Sequence, residues 1–217
     1  MILSPIVLLF VLKTSVIAME NNIPKYIVID PGHGGIDGGG VSKTGVYEKN
    51  INLIVSYYLK LYLENSGYNV KMTRTGDYDL ACKNSDNRKS EDINKRVEII
   101  NEENVILYIS IHCNKFNDSN IRGAQTFYNI NNEESRKLSN IIQNKLNTIL
   151  KNTNRITKDI TGKYLVDNAI KTGSLIEIGF LSNDDELKLL MDKSYLDKVA
   201  YCIYIGIIDY IGMNNNL

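Results

Sequence analysis

Cysteine is scarce in this chain: three residues in 217, at positions 82, 113 and 202. They are too few and too scattered for a disulfide framework, and no CxxC pair offers a thiolate zinc site. Small buried hydrophobes plus one exposed thiol are the expectation. An excess of either charge is also missing. Lys and Arg total 25, as do Asp and Glu, so no basic stripe marks a phosphate backbone and nucleic acid is not an expected partner. Linkers, repeats and low-complexity tracts are absent. With 43% hydrophobic residues, a chain of this length suits one well-cored domain.

Long hydrophobic runs are rare as well. The N-terminal stretch MILSPIVLLFVLKTSVIAME has a largely apolar run from Ile2 to Leu12, then Lys13, then Thr14 to Ala18. This is short and interrupted for a membrane span, while Val16 and Ala18 give the small-residue spacing a signal peptidase accepts. No Lys or Arg precedes the run, so residues 1–18 read as a signal peptide or an N-terminal membrane anchor. Contact with a membrane is expected only through this segment.

Elsewhere strand and helix periodicities alternate. KYIVID (25–30), YNVKMTRT (68–75), VILYISIH (105–112), GAQTFYN (123–129) and SLIEIGF (174–180) are β-rich runs, with KYLV (163–166) a weaker one. Helical patterns cover Glu48–Asn65, Asp92–Asn104, Glu133–Leu150 and about Tyr195–Ile211. The polar stretch Asp77–Glu91 is the longest expected loop. This alternation predicts a single α/β domain with a mostly parallel, twisted sheet of about six strands flanked by helices.

Only two histidines are present, and both fall where ligands gather in open α/β sheets, just beyond strand carboxyl ends. His112 closes VILYISIH. His33 lies in IVIDPGHGGIDGGG, whose loop carries six glycines in nine positions. Asp37 stands where a dinucleotide fingerprint needs glycine, and Ser42 where a phosphate loop needs one. The remaining reading is a loop that turns freely, admits a bulky ligand and presents His33.

Glu48 opens the first helix. It is either a third metal ligand or an acid favoured by the helix dipole. Two imidazoles and one carboxylate with an open position compose a hydrolytic zinc site. Glu177 lies between Ile176 and Ile178 in a strand. It is either a proton-transfer group with a pKa raised by burial, or a structural acid bonded to backbone or to an arginine such as Arg96.

IVIDPGHGG, Glu48 about fifteen residues on, NVKMTR, RVEIIN, ISIHCN, GAQTFYN and LIEIGFLSN, in this order across about 26–212, resemble the zinc-dependent N-acetylmuramoyl-L-alanine amidases of bacterial cell walls. NRKSEDINKRV and NTNRITKDITGKYLV are most similar to the spore cortex members. The resemblance implies that 25–213 is the catalytic domain, that His33, Glu48 and His112 hold Zn2+, and that Glu177 is the catalytic acid/base. It implies peptidoglycan as substrate, a regulatory or activating protein as partner, and export to the cell wall or spore intermembrane space, with the free lactyl product leading to muramic lactam. A zinc carboxypeptidase-like hydrolase and a catalytically silent wall-binding domain are the alternatives.

Overall fold

The computed structural model describes residues 24–214; the expected signal or anchor at 1–18 lies outside them. Six strands are formed: β1 (Tyr26–Pro31), β2 (Asn69–Met72), β3 (Val105–Asn114), β4 (Gln125–Tyr128), β5 (Lys158–Asp159) and β6 (Thr172–Phe180). They make one sheet in the order β2-β1-β3-β6-β4-β5. The β2-β1-β3-β6 half is parallel, β4 runs antiparallel to β6, and β5 is parallel to β4. Six α-helices flank it: α1 (Glu48–Asn65), α2 (Arg88–Ile100), α3 (Glu133–Lys145), α4 (Tyr164–Asn168), α5 (Asp184–Leu190) and α6 (Lys193–Met213). None is long and apolar enough to cross a membrane.

The two faces of the sheet differ, because alternate residues of a strand point to opposite sides. Ile27, Ile29, Leu107, Ile109, Ile111, Ile176 and Ile178 supply one face and join the main core with buried residues of α1, α3 and α6. The other face begins apolar, with Val28, Tyr108 and Leu175 packed against Ile100 of α2 and Leu165 and Val166 of α4. Toward the carboxyl ends of β1, β3 and β6 that same face turns polar, through Asp30, Ser110, His112 and Glu177. Strand register pairs Asp30 with Ser110 and His112 with Glu177. The functional edge is therefore the polar end of one face.

Two expectations need correction. KYLV is not a strand: Asp167 N–H donates to Lys163 O and Ala169 N–H to Leu165 O, each at 2.9 Å, closing α4. Adjacent Leu165 and Val166 are both buried, which one turn of helix allows and a strand with one covered face does not. The sixth strand is instead the two-residue β5. Helix α2 starts at Arg88, four residues inside the expected loop, because Asn87 caps it by accepting from Ser90 N–H. Cys113 and Cys202 are buried and Cys82 is exposed, as composition suggested.

Candidate active site

His33, Glu48 and His112 reach one point from three elements. His33 sits two residues past β1 in the left-handed region, at φ 63°. His112 is near the end of β3, and Glu48 is the first residue of α1. One ligand atom from each lies within 4.8 Å of the others. Glu48 Oε1 is 3.2 Å from His33 Nε2 and 2.9 Å from His112 Nδ1. Two ligands of a tetrahedral zinc ion are about 3.3 Å apart for bonds near 2.0 Å, so this donor set fits a single ion with little rearrangement.

Backbone geometry makes the room. A Cβ on Gly32 would sit 2.2 Å from the His112 ring, and one on Gly39 would lie 2.6 Å from both Glu48 Oε2 and the His33 ring. The loop glycines are thus required by the side chains they expose. Glu48 is 4% exposed and fully engaged: Oε2 accepts from Gly40 N–H at 2.7 Å, and Oε1 from Cys113 N–H at 3.0 Å and Asn52 Nδ2 at 3.3 Å. It is more than a helix-dipole acid.

Sequence reasoning missed the groups that hold these three. His33 Nδ1 is 2.9 Å from Asp37 Oδ2, the carboxylate–histidine arrangement that orients a metal-binding imidazole. Asp30 is buried and accepts from Thr73, Ser110 and Arg96 at 2.6–2.8 Å. Arg96 also donates to Asp92 and to the carbonyls of Pro31 and His33. Arg74 donates to the carbonyls of Pro31, Gly32, Gly76 and Lys49. The i,i+4 spacings Asp92–Arg96, Glu48–Asn52 and His33–Asp37 were the available signals. Arg96 is committed to Asp30 and Asp92, so it does not neutralise Glu177.

Glu177 faces the same cavity, of about 730 Å³. Its Oε2 is sealed from solvent without a hydrogen-bond partner. Burial raises its pKa to about 7, against the opposing pull of His112. Burial lowers His33, but hydrogen bonds to Asp37 and Glu48 outweigh it and lift the imidazole to about 9. Burial raises Glu48, but hydrogen bonds from His112 and His33 hold it far below the usual carboxylate range. The metal-free site therefore stores a proton that a metal must displace.

Known proteins resemble this chain over nearly all its described length. The N-acetylmuramoyl-L-alanine amidase family matches residues 27–209. The germination-specific N-acetylmuramoyl-L-alanine amidase of Bacillus subtilis is 46% identical over 189 residues, covering 86% of this chain and 79% of that protein. The structure of the CwlD amidase from Clostridioides difficile in complex with the GerS lipoprotein matches with a TM-score of 0.84 and 39% identity, over 87% of this chain and 99% of that one. The catalytic domain of CwlV from Bacillus (Paenibacillus) polymyxa matches at 0.76 and 26%, covering 87% and 98%.

The Glu177 carboxyl sets a pH dependence of stability. Its folded pKa of about 7 exceeds the ordinary 4.5, so the folded metal-free protein binds this proton more tightly than the unfolded chain, and stability falls as pH rises from 4.5 to 7. Glu177→Gln should make metal-free protein more stable at pH 8 by up to roughly 3 kcal/mol, a gain that shrinks to nothing near pH 4. Urea unfolding in chelator at the two pH values measures this. Equal stability of the two proteins at pH 8 would contradict an unpaired buried carboxyl.

Proposed function

The chain belongs to the N-acetylmuramoyl-L-alanine amidase family, and from that membership and the geometry of its site we propose how it cuts the amide between muramic acid and L-alanine. It is a cell-wall hydrolase acting on peptidoglycan. The observation that carries the mechanism is the meeting of His33, Glu48 and His112 within 4.8 Å, beside a Glu177 that is the register partner of His112.

We assign Zn2+ to the three ligands, since two imidazoles and one carboxylate suit it. Bound there, zinc supplies Lewis acidity that polarises the lactyl carbonyl and lowers the pKa of a water toward about 7. Asp37 holds the His33 ring, and the N–H groups of Gly40 and Cys113 hold the Glu48 carboxylate. Glu177, with no partner of its own, takes the proton of the attacking water and passes it to the alanine nitrogen, which leaves poorly unless protonated. The products are a glycan with a free lactyl carboxylate and a peptide with a new amine. A carboxypeptidase and a silent wall-binding domain both fit the family and the assembled site less well.

The germination-specific relative supports a role in spore cortex maturation, where the free lactyl group would precede muramic lactam. A relative solved with a lipoprotein supports a regulatory or activating protein partner for this chain. The wall substrate lies outside the cytoplasmic membrane, and residues 1–18 are proposed to direct export.

Glu177→Gln preserves size but cannot accept a proton, whereas His112→Ala removes a ligand. The amide variant should keep near wild-type zinc while losing about two or more orders of magnitude in release of muramyl-linked peptide. His112→Ala should lose both. Near wild-type turnover by Glu177→Gln would make that carboxylate structural. For export, Met1–Glu20 ahead of a reporter active only outside the cytoplasm should give signal; an expressed but silent fusion would remove that assignment.

A further inference from the structure

Helix α1 enters the main core through Ile51, Val55, Leu59 and Leu63. Asn52, one turn after Glu48, is fully buried with them. An apolar side chain would be the ordinary choice at such a depth, because a buried amide favours the fold only when its donors and acceptor are all paired. Those of Asn52 are not. Its Nδ2 donates to Gly32 O at 3.2 Å and to Glu48 Oε1 at 3.3 Å, while its Oδ1 is sealed from solvent with no partner among the described residues. Turning the amide over would be worse, since it would set Oδ1 against a carbonyl and a carboxylate oxygen, both acceptors.

Neither acceptor depends on Asn52 for satisfaction. Gly32 O also accepts from Arg74 Nη2 at 3.0 Å, and Glu48 Oε1 from Cys113 N–H at 3.0 Å. What Asn52 adds is the link between them: among the described residues no other side chain bonds both the Glu48 carboxylate and the Gly32 carbonyl. Gly32 directly precedes His33, and Oε1 is the Glu48 oxygen that faces both imidazoles. The amide therefore ties one assigned metal ligand to the backbone that carries another.

We propose that Asn52 is a positioning residue for the metal, kept for zinc affinity and not for the stability of the core. The inference rests on the zinc assignment above. The amide N–H groups set the Glu48 carboxylate against the His33 loop before the ion arrives, so less of the binding free energy is spent on ordering the ligands. The orphaned Oδ1 is the stability cost of that placement.

The test measures zinc dissociation constants by competition with a chromophoric chelator, and melting midpoints in excess chelator, for wild type, Asn52→Leu and Asn52→Ala. The first variant keeps nearly the shape of the amide without its donors, and the second guards against crowding by the new methyl groups. Both should bind zinc roughly 10- to 100-fold more weakly than wild type, the usual effect of losing a group that orients a metal ligand. In chelator Asn52→Leu should melt at or above the wild-type midpoint, because it strands no partner and removes an unsatisfied buried oxygen. Asn52→Ala should melt lower, because it opens a cavity. Near wild-type zinc affinity in either variant would overturn the assignment. So would a chelator midpoint that falls as far for Asn52→Leu as for Asn52→Ala, the mark of an amide that the fold itself needs. Both outcomes leave the metal reading intact, whereas a wild type that binds no zinc would overturn the two together.

Discussion

The buried ion pair between Asp30 and Arg96 fixes the edge of the sheet on which everything else is built. Each residue is 1% exposed, and an isolated charge at such a depth would be prohibitive. Here neither is isolated. Arg96 and the Thr73 and Ser110 hydroxyls surround the carboxylate, holding its pKa down despite burial. The guanidinium spends its remaining donors on Asp92 and on the carbonyls of Pro31 and His33. The pair thus converts burial cost into a fixed backbone path for the loop after β1. Arg74 grips the same loop from the other side.

A path fixed in this way can hold a residue where it would not otherwise stay. His33 at φ 63° adopts a conformation that costs a side chain of order 1 kcal/mol or more, and such strain persists only where the surroundings determine it. The reward is an imidazole whose Nδ1 meets Asp37 and whose Nε2 meets Glu48. Sheet register supplies the rest: β3 and β6 place His112 beside Glu177, and the helix start places Glu48 between the two imidazoles. His33 and Glu48 are oriented by hydrogen bonds, while Glu177 Oε2 is left without one.

Much of this was legible in the sequence because it depends on local pattern. The β-rich runs 25–30 and 105–112, with His33 just beyond the first and His112 closing the second, pointed to the strands and to the sheet edge where the histidines meet, and Glu48 and Glu177 stood out as acids in costly or conspicuous places. What escaped was set by distant contacts. KYLV has strand-like composition, yet Leu165 and Val166 are drawn together onto the Tyr108 face and the segment coils. Residues 158–159 carry no apolar signal, since both are exposed and the strand exists only by pairing with β4. Arg96 was legible as a cation but not as the partner of Asp30, 66 residues away.

The proposed metal site is built from two imidazoles and one carboxylate, with no sulfur. Cys113 adjoins His112, but its side chain joins the opposite, apolar face of the sheet, and only its N–H turns toward Glu48. X-ray absorption at the zinc edge of the reconstituted protein tests this directly. It should show one zinc environment built from nitrogen and oxygen at about 2.0–2.1 Å with the scattering of two imidazoles. A sulfur shell at about 2.3 Å, or scattering from a single imidazole, would contradict the site described.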